Sequence, residues 1–271
     1  MENSVSIGGT SSIDDVNQTT MSSLEAQEVY SRWRGLKPAE QVAFDLIADK
    51  ISGQAILDIG VGGGRTVEAL NELSKDYIGV DYSAEMVALC QKQFPYIEFR
   101  HVDARDLSQF KDNSFSLVVF ACEGICMVDH EGRLKILREV RRILKSTGYF
   151  IFSTFNQESH AHDRPFLFPE FELSLNPAKL LVRAFRFCKL TTVRYLNRRR
   201  YKKLDFRGAE YSIINDIFHN YSTMIYYISL QQQLMQLENI GFAKNPKALD
   251  LKGQIVTKST PDDTLTFIVQ K

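Results

Sequence analysis

Gly60, Gly62 and Gly64 stand at alternate positions directly after a short apolar run, residues 55–59, that carries Asp58. A second acid, Asp81, ends the next apolar segment. Glycine lets the main chain turn tightly and lets a ligand approach without meeting a Cβ. A helix opening at such a loop adds free amide donors and the positive end of its dipole. The spacing is G-x-G-x-G, whereas a dinucleotide fingerprint needs glycine at 65, where Arg65 stands. Asp81 lies where a carboxylate, which only accepts, can take both hydroxyls of a ribose. The pattern describes an adenosine-type site without a pyrophosphate cradle.

These residues need a scaffold that ends several strands at one edge. The chain supplies it by alternation. Strands are expected at 55–59, 77–81, 97–101, 115–121 and 149–154, and helices at 24–34, 38–51, 65–73, 84–93 and 131–144. Such alternation builds βαβ units and a parallel sheet, and the run Leu117-Val118-Val119-Phe120 suits a strand covered on both faces. The rhythm breaks after 155. A proline-containing stretch leads into 179–207, where eleven cations face one acid, Asp205, among interleaved apolar residues. One or two amphipathic helices are expected there. Two strands around His219-Asn220, a helix over 229–240 stopped by Gly241, and an antiparallel pair, 242–251 with 264–269, complete the chain. The expected organisation is a tail over 1–23 that is disordered or loosely ordered, or that orders only against the body, a main domain of 24–155 plus 229–271, and an inserted cap of 156–228.

Five segments in order, "LDIGVGGG" (57–64), "GVDYSAEMV" (79–87), "VDARDL" (102–107), "FSLVVFACEGICMV" (115–128) and "REVRRILKSTGYFIFS" (138–153), resemble the successive motifs of class I S-adenosylmethionine-dependent methyltransferases. The segment 226–242 is similar to the last helix of that family and its approach to the final hairpin. The resemblance implies an α/β Rossmann-like sheet of seven strands, mostly parallel with a C-terminal antiparallel hairpin. It also implies S-adenosylmethionine as cofactor and S-adenosylhomocysteine as product. It places Gly60, Gly62 and Gly64 under the methionine part, Asp58 facing the ammonium, and Asp81 on the ribose. Tyr82 and Met86 pack on the adenine, Asp103 and the Ala104 amide bond its edge, and Ala121, Cys122 and Glu123 line the methionine end. The helix with Tyr30 and Trp33 is expected to close over the cofactor. Two departures stand out: Ser116 replaces an early aspartate of the fourth strand, and no Asn/Asp-Pro-Pro-aromatic motif ends it. The second argues against DNA adenine or protein glutamine as acceptor.

Methyl transfer from a sulfonium is an in-line displacement, so the enzyme aligns the nucleophile, excludes water and, for a hydroxyl, removes a proton. The family's acceptor pocket draws on the ends of strands four and five and on the insertion. His219, Asp216, His160 and His162 are the candidates for catalysis. Glu123, Tyr211, Asn215, Tyr221 and Tyr226 are those for substrate contact, and His130 is a further histidine at an expected helix start.

Lys plus Arg and Asp plus Glu number 33 each, which offers no steering field toward nucleic acid. No apolar run reaches the ~18 residues of a membrane span. Four cysteines in 271 residues form no disulfide framework, and Cys122 and Cys126 lack a second pair at metal-ligand spacing. A cytoplasmic monomer or homodimer without a metal, methylating nitrogen or oxygen of a small molecule, is expected. The alternatives are an RNA methyltransferase using 179–207, or a non-catalytic cofactor-binding protein.

Overall fold

The computed structural model describes residues 12–271. An N-terminal layer comprises α1 (Ile13–Met21), α2 (Leu24–Ser31), α3 (Pro38–Asp45) and α4 (Ala48–Ile51). The alternating half follows as β1 (Ile56–Ile59), α5 (Val67–Leu73), β2 (Tyr77–Asp81), α6 (Ala84–Gln93), β3 (Glu98–His101), β4 (Phe115–Phe120), α7 (His130–Ile143) and β5 (Leu144–Asn156). Then come α8 (Pro177–Tyr201), β6 (Phe206–Arg207), β7 (Tyr211–Asp216), β8 (Thr223–Ile228), α9 (Leu230–Ile240), β9 (Lys247–Leu249), β10 (Ile255–Val256) and β11 (Thr264–Gln270).

The sheet runs β3-β2-β1-β4-β5-β11-β9-β10. The first five of these strands are mutually parallel, and β11, β9 and β10 are antiparallel. This is the expected Rossmann-like α/β fold, with eleven strands rather than seven. The additions are β10 and the ribbon β6–β8. Strand β5 outlasts β4: the last β4 pair is Phe120 with Phe152, and at Phe155 and Asn156 β5 pairs instead with β8. The ribbon thus belongs to the sheet and stands over the carboxyl end of β4, where a separate cap was expected over 156–228.

Strand parity divides the core. Val118 and Phe120 pack in one layer with Ile136, Leu137, Val140 and Ile143 of α7. Leu117 and Val119 pack in the other with Phe44, Val67 and Leu70. The α7 residues recur at helical spacing because Asp129 caps the helix, its side chain accepting from Gly132 N–H, and only one face is apolar. Each such burial contributes roughly 1.5–3 kcal/mol, so a charge at Val140 would undock the helix.

Residues 13–21, part of the tail expected as disordered or loosely ordered unless it packs on the body, form a helix that packs there. Ser12 and Asp15 form a capping box. The helix docks through Asn17, whose amide nitrogen donates to Met127 O (2.7 Å) and Met224 O (2.8 Å) while its oxygen accepts from Met224 N (2.8 Å). Residues 1–11 of that expected tail lie outside the described residues. The basic stretch forms one helix, α8, of 25 residues, none of them buried.

Asn17→Ala leaves a main-chain donor and two acceptors without partners, at about 1–3 kcal/mol for a buried group. A denaturant titration is expected to show a loss of about that size, with faster proteolytic clipping near Ser22. Unchanged stability would refute the anchoring role.

Candidate active site

Strands β1, β2 and β4 end at one edge, and the loops leaving them wall a cavity. Gly62, at φ 52° with only Gly60 O, at 3.9 Å, near where a Cβ would stand, forms its floor. Gly63 allows a different approach: a Cβ there would collide with the Tyr30 carbonyl, so the end of α2 lies directly on the loop. Asp81 is buried, and its Oδ2 accepts from Gly62 N–H and its Oδ1 from Ser83 N–H, each at 2.9 Å. Burial raises its pKa, opposed by those amide donors. Its remaining lone pairs face the cavity.

Most of the expected cofactor residues meet here. Tyr30, Gly60, Gly62, Asp81, Tyr82, Met86, Asp103, Ala104, Ala121 and Cys122 all line the cavity. The Tyr82 hydroxyl is buried with no hydrogen-bond partner, a donor left for a ligand. Asp103 is already engaged by Arg105, whose Nε lies 3.0 Å from both carboxylate oxygens and which also pairs with Asp14. Burial tends to raise the Asp103 pKa, but the hydrogen bonds and charge of Arg105 outweigh it and hold the group low.

Three expected cofactor residues stand off the wall. Asp58 lies behind it, accepting from Thr66 Oγ1 (2.6 Å) and the Tyr77 hydroxyl (2.9 Å), because its parity on β1 directs it away. Only Thr66 of this group reaches the cavity. Gly64 packs toward the Phe94 ring. Glu123 is turned onto Lys37 Nζ, 2.9 Å from both oxygens, and its backbone, like that of Cys122, is left-handed.

The expected acceptor residues divide. His219 Nε2 lies 3.1 Å from the Tyr30 hydroxyl, so the histidine meets the cavity through the tyrosine. It begins a run of three left-handed residues with Asn220 and Tyr221, the kind of strained backbone that gathers at functional sites. Burial lowers its pKa below the ordinary 6.5. The others serve the scaffold. Asp216 accepts from the Tyr227 hydroxyl and Ile217 N–H. Asn215 ties Tyr221 O and Thr223 O at 2.8 Å each. The Tyr221 hydroxyl accepts from Leu167 N–H. Tyr211 is stacked between His130 (4.1 Å) and Tyr226 (5.0 Å), and Tyr226 also supports the buried guanidinium of Arg133 at 4.6 Å. His160 is exposed, and His162 leans on Asp163 at 3.2 Å outside the cavity.

Sequence reasoning missed Asp14, Gln18 and Met21, which line the cavity from α1; the S-x-x-D box at Ser12 was their signal. It also missed Arg65 as a lining residue. Arg65 chelates Glu40 at 2.6 Å through both nitrogens and donates to Gly35 O, joining the loop to α3. Among the described residues no group of three or more His, Cys, Asp or Glu is arranged to hold a metal, and no helix is long and apolar enough to cross a membrane.

Known proteins share part of this sequence and its fold. Residues 56–148 match the family model of a methyltransferase domain. A probable S-adenosylmethionine-dependent methyltransferase of Mycolicibacterium smegmatis is 27% identical over 143 residues, 52% of this chain and 53% of the relative. A ubiquinone biosynthesis O-methyltransferase of Acinetobacter baylyi is 25% identical over 48% of this chain and 56% of its own length. The chain therefore spans about half the length of the curated relatives it matches. The fold is shared with the 1,6-didemethyltoxoflavin N1-methyltransferase of Burkholderia thailandensis, solved with its acceptor and S-adenosylhomocysteine: TM-score 0.57, 11% identity, 99% of this chain and 93% of that one. A possible histamine N-methyltransferase of Thermotoga maritima gives 0.54 at 17% identity, over 94% and 99%. The matched region is thus a methyltransferase domain on a Rossmann-like sheet. Outside that region the likeness to solved S-adenosylmethionine-dependent methyltransferases is one of fold.

Burial raises the Asp58 carboxyl from 3.8 to about 6, with the Thr66 and Tyr77 hydrogen bonds opposing. The folded state then holds the proton more tightly than the unfolded chain. Stability from this group is full below pH 3.8 and is lost as pH rises through about 6. Asp58→Asn is expected to flatten that decline, about 2–3 kcal/mol in the parent, in denaturant titrations across the window. Parallel profiles for parent and variant would contradict it.

Proposed function

We propose that this chain is an enzyme that transfers a methyl group from S-adenosylmethionine to nitrogen or oxygen of a small molecule. The observation that carries the reading is the buried carboxylate of Asp81 bonded to the bare amide of Gly62 under Tyr30. When bound, the cofactor supplies an electrophilic methyl on a sulfonium. Asp81 would accept from its ribose hydroxyls and Tyr82 would donate its free hydroxyl. Met86 and Val102 would cover the adenine, and Ala104 N–H with Asp103 would read its edge. Arg65 and Thr66 would face the amino-acid end. Tyr30 on α2 and Trp33 just after it, 5.2 Å apart edge to face, close the site. A lid of this size favours a small acceptor over a polymer, and the ubiquinone and toxoflavin relatives act on small molecules by name. Four cysteines without a disulfide accord with a reducing cytoplasm.

For a hydroxyl acceptor the proton needs a path. The Tyr30 hydroxyl reaches the cavity and His219 stands behind it, held neutral by burial. The acceptor proton would pass to Tyr30 as its own proton passes to His219. Asp216 has no part in this because Tyr227 and Ile217 occupy it.

Calorimetry on Asp81→Ala is expected to show adenosylmethionine binding weakened by more than about tenfold, the worth of hydrogen bonds to a buried charge; full affinity would place the ribose elsewhere. Once a labelled-methyl screen of phenols and amines supplies an acceptor, His219→Ala and Tyr30→Phe should each lower kcat about a hundredfold for a hydroxyl substrate. Cofactor affinity of His219→Ala should stay near the parent value. The parent rate should hold down to pH 6.5 and fall only below it, since the lowered pKa keeps the imidazole neutral there. A rate that already declines well above that pH, or a His219→Ala enzyme of parental kcat, would remove the relay.

A further inference from the structure

Helix α8 is the feature the methyltransferase reading does not use. It is 25 residues long and buries no residue. Its two sides differ. The side toward the body carries cations with partners: Arg194 donates to Asn220 Oδ1 (3.1 Å) and Leu167 O (3.0 Å), and Arg198 pairs with Asp205 (3.2 Å). The opposite side presents Leu181, Val182 and Phe185 to water at 73, 66 and 71% exposure, with Leu196, also exposed, about three turns beyond Phe185. Leu173 and Leu175, just before the helix, are exposed as well. Among these apolar groups stand Lys179, Arg186, Lys189, Arg199 and Arg200, all exposed. None has an ion-pair partner among the described residues. Eight of the chain's 33 Lys and Arg lie in α8, which holds no acid, although the whole chain is neutral.

We infer that the outer face of α8 is an interfacial helix that docks the protein on an anionic lipid surface. Large aliphatic and aromatic side chains flanked by long cations are what the headgroup boundary takes up: the apolar groups enter it and the cations stay with the lipid phosphates. RNA phosphates would suit the cations but give Leu181, Val182 and Phe185 nothing to bury against. A second copy of the helix would set cations against cations. The inference is independent of the acceptor and of the transfer chemistry. Its position matters all the same. The inner side of α8 holds Asn220 through Arg194 and Asn197, next to His219 and hence to Tyr30. A bilayer on the outer face therefore lies one helix away from the turn that contacts the lid.

The test is co-sedimentation of the full chain with vesicles of phosphatidylcholine alone or mixed with phosphatidylglycerol. Binding is expected to the mixed vesicles, to weaken in high salt, and to be small on phosphatidylcholine alone. Leu181→Ser with Phe185→Ser, and separately Lys189→Glu with Arg200→Glu, should each lower partitioning about tenfold or more. Neither pair alters a buried residue, so the melting temperature should hold. Tyr96→Ser, exposed far from α8, should bind as the parent does. The inference fails if mixed vesicles do not sediment the protein, or if the serine pair binds undiminished. It also fails if the parent instead self-associates through Phe185, or binds a mixed-sequence RNA oligomer while ignoring vesicles.

Discussion

The hydrogen bond from Gly62 N–H to Asp81 joins the loop after β1 to the tip of β2, and the cavity exists because of it. Parallel strands that end together leave their loops free to turn in any direction. A buried carboxylate at the end of β2 removes that freedom by gathering the Gly62 and Ser83 amides onto one group. Burial would favour the protonated form, and the amide donors oppose it. The same acid therefore fixes the loop and keeps acceptor capacity facing the cavity. A cofactor with a ribose extends an existing network rather than building one.

The N-terminal layer is held to this edge by polar contacts that are hard to replace. Glu40 and Arg65 are both largely shielded, with side chains 2% and 11% exposed, and meet in a two-pronged pair. A shielded pair of this geometry contributes little net stability against an apolar replacement, yet losing one partner strands the other charge. Its value lies in position: α3 cannot leave without stripping Arg65, at the cavity wall, of its partner Glu40. Lys37 on Glu123 repeats the device at the end of β4, and Asn17 repeats it without charge at β8. Three separate tethers thus close the lid side, and Gly63 supplies the clearance that lets α2 lie flat.

The βαβ half was legible because its signals are local. Apolar runs, a glycine loop and strand-end acids all fall within a few residues of one another. Parity then separates the two acids: Asp58 sits among core residues on β1, whereas Asp81 ends its strand, and only the second reaches the cavity. What stayed hidden depends on distant partners. Asn17 reads as a polar residue in a polar tail until its acceptors, 110 and 207 positions away, are in place. Tyr211 and Tyr226 read as pocket aromatics, but facing strands stack them on His130. Asp216 reads as a catalytic acid beside His219, but Tyr227, opposite in the same hairpin, takes it.

The ribbon β6–β8 explains why the lid and the basic helix meet at one turn. Because β5 continues past the end of β4, β8 can pair with it there, and the β7–β8 connection must project over the cavity edge. That connection is tight enough to force His219, Asn220 and Tyr221 into left-handed backbone, at a cost of order 1–3 kcal/mol per residue. The surroundings hold it: Arg194 and Asn197 grip Asn220 from α8, and Tyr30 meets His219 from α2. Ring contacts accompany these grips, Tyr30 with His219 at 5.8 Å and Arg198 over Tyr221 at 5.9 Å. The directional part of each grip is a hydrogen bond, which can be broken and remade without unfolding either helix. A strained turn with two polar grips is the place in this fold where a change at the outer helix can reach the lid.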